Sequence, residues 1–286
     1  MTFDHITQRQ AITLKKIPIA IIGAGNIGAA IAGGLVSSGY SPKEIVLTRR
    51  KMHLLDGIRK KGFVVESDNC EAVKKAKVII ITVAPHQFDG VLAQIAPVLV
   101  PGKHIVISIV AGVSIKNIVK RIGGGISVVR AMPNTAIAVR ESMTCLASID
   151  KDKKGLETAR KIFETMGKTI IIAEEEIIAA TALGACGVAF FLRSIRAASQ
   201  GGIEIGFHSD DALTIAAQTA RGAATLVLMD KNHPEYEIDK VTTPKGCTIA
   251  GLNQMEHDGF SSAMIKGIVV SAKKASELYA SPEDEG

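Results

Sequence analysis

The sequence contains no tryptophan and only three tyrosines, and aromatic residues make up 4% of its 286 positions. A sequence-tolerant binder of single-stranded nucleic acid stacks bases on aromatic rings, and this chain has few such platforms. Its lysines and arginines are dispersed rather than clustered. Nucleic acid is therefore not an expected partner, despite a net charge of +6. Cysteine is also scarce. Cys70, Cys145, Cys186 and Cys247 form no CxxC pair and have no histidine at zinc spacing, which argues against a structural metal. Reduced thiols and a cytoplasmic location are expected. No window approaches 18 apolar residues without a charge, so no membrane span is expected. Residues 1–16 lack the apolar stretch of a secretion signal and read as a flexible arm.

The chain is 47% hydrophobic and 22% charged, an ordinary globular balance that excludes wholesale disorder. At about 150 residues per domain, its length suggests two domains. Residues 17–22, 44–48, 78–84, 104–110 and 126–130 read as strands, the most apolar of them continuous runs. Residues 29–38, 52–61 and 87–99 have helical spacing. Such alternation implies an α/β fold, a Rossmann-type doubly wound parallel sheet with helices on both faces. After a last strand at 170–173, long helices rich in Ala and Gly follow at 174–196, 210–229 and 261–278. The expected organisation is a dinucleotide-binding domain over 17–173 and an all-helical domain over 174–286, ending in an acidic tail. Apolar helices with so little sheet to cover point to burial against a second copy, a homo-oligomer.

The first chemical motif is Gly23-Ala24-Gly25-Asn26-Ile27-Gly28, between a predicted strand and a predicted helix. In that context Gly23 makes the tight turn, Gly25 admits a pyrophosphate, and Gly28 lets the helix pack on the strand. The free N–H groups of the helix start face the anion. A site for NAD(H) carries an acidic residue at the end of the second strand. Here that place is Leu47-Thr48-Arg49-Arg50-Lys51. Arg49 and Arg50 suit a 2′-phosphate, through charge-assisted bonds of roughly 1.5–3 kcal/mol each. NADP(H) is the expected cofactor, with NAD(H) possible. Val83, Ala84 and Pro85 lie at the C-terminal end of a predicted strand, where ligands sit in open α/β sheets. Asn134 ends another strand; it either orients the nicotinamide or bonds its own turn.

The segment Val241 to Leu252 (VTTPKGCTIAGL) places the N–H groups of Gly246, Cys247 and Thr248 at a helix start, with Thr243 and Thr248 as hydroxyl donors. That suits a carboxylate; an ordinary helix cap is the alternative. Taken together, IAIIGAGNIGAAIAGGL, VVRAMPNTAIAV, DALTIAAQTARGAA and VTTPKGCTIAGLNQMEHDGF give the chain a resemblance to the pyrroline-5-carboxylate reductase family from about residue 17 to residue 278. The resemblance implies hydride transfer from NADPH to a cyclic imine, 1-pyrroline-5-carboxylate, with L-proline as product. It also implies a helical domain interlocked with a partner's, so a homodimer or a multiple of it. The substrate carboxylate would rest on Thr243, Gly246, Cys247 and Thr248, with Thr248 donating near the ring nitrogen as the catalytic residue. Val188 would lie in a pocket-lining helix. No metal is implied. Family members usually carry Ser-Gly-Ser-Gly-Pro-Ala-Tyr where residues 184–190 read Gly-Ala-Cys-Gly-Val-Ala-Phe, Pro-Gly-Gly where Pro244-Lys245-Gly246 stands, and Lys in place of Ala84. These departures keep two alternatives open, a different imine or carbonyl substrate and an NADP-binding protein without turnover.

Overall fold

The computed structural model describes residues 17–149 and 152–278. The predicted arm at 1–16 and the acidic tail from residue 280 lie outside the described residues.

Eight strands alternate with helices in the first part of the chain. In order they are β1 (Ile19–Ile22), α1 (Asn26–Ser37), β2 (Ile45–Thr48), α2 (Asp56–Lys60), β3 (Val64–Glu66) and α3 (Asn69–Lys74). Then come β4 (Val78–Ile81), α4 (Pro85–Ile95), β5 (Ile105–Ser108), α5 (Ile115–Ile122) and β6 (Ser127–Met132). β7 (Ser142–Ser148), α6 (Lys153–Glu164) and β8 (Gly167–Ile171) complete the sheet, whose order is β3-β2-β1-β4-β5-β6-β7-β8. The central strands β1, β2, β4 and β5 are buried on both faces because successive side chains alternate between two cores. Ile19 and Ile21 of β1 join Leu35 and Phe163 on one side, while Ala20 and Ile22 join Phe88 and Leu92 on the other. Since β1 lies between β2 and β4, the chain direction switches there, and a crevice opens at the C-terminal strand ends.

The alternation predicted a parallel sheet, and the structure departs from it at one pair. β6 pairs antiparallel with β7, and β8 runs parallel to β7. The link from Met132 to Ser142 is too short for the crossover helix that a parallel pair requires, so the chain turns back in a loop with one 3-10 turn, Thr135–Val139. The path from β7 to β8 carries α6, and that pair is parallel.

The compact first unit runs on to Ala185 and takes the chain in again from Ala272, while the second unit is Cys186–Ser271. The predicted division after residue 173 falls earlier. The difference arises because the next turns stay attached to the sheet. Arg130 on β6, 5% exposed, pairs with Glu174 at 3.2 Å, and Glu174 also accepts from the Ile115 N–H. Burial lowers the pKa of Arg130, and the Glu174 carboxylate works against that shift. Beyond the pair, Ile177 in α7 (Ile177–Ala180) packs against Met132, Cys145 and Ala147.

The second unit contains α8 (Gly187–Glu204), α9 (Ser209–Asp230), α10 (Pro234–Lys240), α11 (Cys247–His257) and most of α12 (Phe260–Ser276). Gly202 lets α8 and α9 approach closely, since a Cβ there would stand 3.1 Å from that of Ala212. Apolar side chains on α9 and α12 are left uncovered. Leu213, Leu226, Leu228, Ile265, Val269 and Val270 are all exposed. Two helical stretches, Glu174–Glu204 and Ser209–Met229, are long and apolar enough to cross a membrane by length and composition alone.

Candidate functional site

The turn from β1 to α1 is shaped by what glycine leaves out. Gly23 has φ +100°, and a Cβ there would lie 2.6 Å from Val83 Cγ1. At Gly28 a Cβ would meet Thr82 Oγ1 at 2.7 Å, and that hydroxyl donates to the Gly23 carbonyl. These two positions lock α1 against the end of β4. Gly25 differs: the nearest atom to a Cβ is 3.9 Å away. Its missing side chain would point into open space, where a pyrophosphate can approach the backbone. Gly25 is also the N-cap of α1 and supplies no side-chain cap, so the N–H groups of Asn26, Ile27 and Gly28 have no helical acceptor and remain available to an anion.

A cleft of about 960 Å³ opens beside this turn. Gly23, Gly25, Arg49, Arg50, Val83 and Ala84 line it, as their sequence positions predicted. Lys51 adds a third cation, and no carboxylate is among the lining residues. Arg49 Nη1 donates to the Ala24 carbonyl at 3.2 Å, which ties the guanidinium to the glycine turn and leaves its other nitrogens for a ligand. A charge of one sign, a cradle that a Cβ at Gly25 would fill and a free helix start together fit a dinucleotide bearing an extra phosphate.

The cleft also has walls that the sequence reading missed. Thr48 Oγ1 donates to Asn69 Oδ1 at 2.6 Å, and Asn69 Nδ2 donates to Gln94 Oε1 at 2.8 Å. All three line the cleft. The available signal was Asp68-Asn69 after the short apolar run 63–65, since Asp68 caps α3 by accepting from the Cys70 N–H. The Cys70 thiol sits behind this row, and burial together with the Asp68 carboxylate pushes its pKa up.

Three predicted positions act through the backbone or elsewhere. Pro85 opens α4, and Asn26 and Ile27 contribute N–H groups; none of these three side chains lines the cleft. Asn134 is not among the lining residues either, and it spends its amide on protein. Its Oδ1 accepts from the Ala136 N–H at 3.0 Å, and its Nδ2 donates to the Gly184 carbonyl at 3.1 Å. That geometry follows the turn-bonding alternative.

The other candidates lie in the second unit. Gly246 is the N-cap of α11 and, like Gly25, supplies no side-chain cap. Its N–H donates to the Thr243 carbonyl at 2.9 Å, and a Cβ would meet Thr243 Oγ1 at 2.5 Å. Lys245, inside this turn, has φ +60°, a left-handed conformation that costs a side-chain-bearing residue roughly 1–2 kcal/mol. Cys247 is exposed and Thr248 half-buried in the first turn of α11. The arrangement offers free N–H groups and two hydroxyls to a small anion. Val188 is half-buried in the first turn of α8.

The fold, the glycine turn and the cationic cleft define a Rossmann-type oxidoreductase that uses a nicotinamide dinucleotide. Residues 18–112 match the family model described as NADP oxidoreductase, coenzyme F420-dependent, and residues 174–278 match that described as pyrroline-5-carboxylate reductase dimerisation. Over 91% of its length the chain is 53% identical to pyrroline-5-carboxylate reductase 1 of Dictyostelium discoideum, spanning 50% of that relative. It is 48% identical to pyrroline-5-carboxylate reductase 2 of the same organism, covering 92% of this chain and 93% of the relative. A solved pyrroline-5-carboxylate reductase from Coxiella burnetii superposes with a TM-score of 0.83 at 30% identity, covering 93% of this chain and all of that one. The chain belongs to the pyrroline-5-carboxylate reductase family.

The open space at Gly25 separates binding from folding. Gly25→Ala is expected to leave the melting temperature unchanged and to weaken dinucleotide binding about tenfold or more, by displacing the pyrophosphate from the backbone. Thermal unfolding and fluorescence titration of the coenzyme check the two halves.

Proposed function

We propose that this chain reduces 1-pyrroline-5-carboxylate to L-proline with NADPH. The observation that carries this reading is the family match across 92% of the chain. The cleft beside the glycine turn, with its three cations and no carboxylate, supports the choice of coenzyme.

When bound, the coenzyme supplies a hydride to the imine carbon. The chain itself has little proton chemistry to perform, because a protonated imine is already an electrophile. Its task is positioning, which can supply roughly 7–11 kcal/mol of a barrier. Gly23, Gly25 and the start of α1 would hold the pyrophosphate, while Arg49 and Arg50 would hold the 2′-phosphate. The N–H groups of Cys247 and Thr248 would receive the substrate carboxylate, with Thr243 beside them and Gly246, whose own N–H is held by the Thr243 carbonyl, leaving the approach open. The Thr248 hydroxyl would donate a hydrogen bond near the ring nitrogen. Val188, in the first turn of α8, would complete the pocket.

The same reading assigns the uncovered apolar faces of α9 and α12 to a second copy of the chain, in a homodimer or a multiple of it. The match of residues 174–278 to the dimerisation model supports this over a membrane contact. Four free cysteines favour a reducing compartment, and we place the protein in the cytoplasm.

Arg49→Ala is expected to raise KM for NADPH about tenfold more than KM for NADH; an unchanged ratio would refute the 2′-phosphate role. Thr248→Val should cut kcat/KM for pyrroline-5-carboxylate by about tenfold or more while NADPH binding persists, and full activity would remove Thr248 from the reaction. Sedimentation without detergent should give the mass of two subunits or a multiple; a monomer would refute the shared helical face.

A further inference from the structure

Immediately after β4 stands a residue that the core does not explain. In the run Val78 to Ala84 (VIIITVA) every side chain is apolar except Thr82, which is 9% exposed and lines the cleft. Its hydroxyl oxygen lies 2.5 Å from the Gly23 carbonyl oxygen and 3.2 Å from that of Ile22. Carbonyls only accept, so the hydroxyl donates, and its shorter contact is to Gly23. A Cβ at Gly28 would stand 2.7 Å from the same hydroxyl oxygen, which thus fills space that glycine leaves.

The peptide groups of the glycine turn are held in sequence. The Ile22 carbonyl accepts from the Thr82 N–H at 2.9 Å, and the Gly23 and Ala24 N–H groups donate to the Thr48 carbonyl at 3.1 and 2.8 Å. The Gly23 carbonyl takes the Thr82 hydroxyl and the Gly25 N–H. The Ala24 carbonyl takes Arg49, and the Gly25 carbonyl takes the Ala29 N–H. Every carbonyl from residue 22 to residue 25 therefore has a donor. What remains for a ligand is the N–H groups of Asn26, Ile27 and Gly28, and successive N–H groups facing one way attract an anion. Glycine at 23 and 25 leaves the peptides between them free to rotate. A carbonyl swung outward would set its negative end against the phosphate oxygens. Side-chain donors that follow the two neighbouring strands, Thr82 after β4 and Arg49 after β2, oppose that rotation.

We propose that Thr82 is a positioning residue for the coenzyme: by holding the Gly23 carbonyl against the end of β4, its hydroxyl makes the turn present N–H groups, and no carbonyl, to the pyrophosphate. This rests on the reading of the glycine turn as the pyrophosphate cradle. Thr82 acts through the backbone and touches no reacting atom.

Thr82→Ala removes the donor, and Thr82→Ser keeps it. Two probes are titrated against each variant: NADPH, and adenosine 2′-monophosphate, which carries a phosphate for Arg49 and Arg50 but no pyrophosphate. Thr82→Ala is expected to raise Kd for NADPH about tenfold and to move Kd for the monophosphate by no more than about twofold. Thr82→Ser should bind both probes within about twofold of the unchanged chain. An unchanged Kd for NADPH in Thr82→Ala overturns the proposal. An equal rise for both probes also overturns it, since that marks a general loosening of the cleft, and so does a serine variant as weak as the alanine one. If the alanine variant fails to fold, Thr82→Val removes the donor at similar volume and is read in the same way. Gly25→Ala separates this inference from its basis. Should that variant also bind NADPH unchanged, the cradle itself is misplaced; should it bind weakly while Thr82→Ala does not, Thr82 alone loses its role.

Discussion

The structure depends on one close approach. Where α1 leaves β1, backbone must pass within contact distance of Thr82 and Val83 at the end of β4, and side chains at residues 23 and 28 would occupy the same space. Three consequences follow together. The α1 N–H groups are brought to the crevice at the strand switch, the Gly23 carbonyl receives the Thr82 hydroxyl, and Gly25 is left over open space. Arg49 then ties β2 to the same turn through the Ala24 carbonyl. Binding chemistry and packing thus share one constraint, and substitutions at neighbouring glycines separate them.

Much of the first unit could be read from local sequence because its strands are continuous apolar runs, which only a doubly covered sheet explains. The glycine turn and the arginine pair were legible for the same reason: their chemistry is local. What escaped depended on partners far along the chain. β7 (SMTCLAS) mixes small polar and apolar residues, and its direction is set by the short link from β6. β3 is three residues long, below any useful period. Asn69 reaches the cleft only because β3 pairs with β2. The amphipathic helix α5 (IKNIVKRI) carried a periodic signal that the reading of strands passed over.

Asn134 shows the limit most directly. Sequence left it two roles, a nicotinamide partner or a bond to its own turn. The structure shows the turn bond and adds a third contact, the Gly184 carbonyl fifty residues away. No local pattern in TALGAC announces the π-helical turn at Thr181–Cys186, since each of its residues is compatible with a regular helix. The same holds for the division of the chain. Residues 174–185 read as the start of a helical domain, yet the Arg130–Glu174 pair and the burial of Ile177 bind them to the sheet.

The uncovered leucines and valines of α9 and α12 have a bearing on how the protein behaves in the cell. On the proposed pairing with a second copy, a lone chain showing those faces to water would gain stability as copies meet, so its folded fraction would rise with its own abundance. Newly made chains at low copy number would stay exposed to chaperones and proteases, and expression level would act as a control on activity with no effector required.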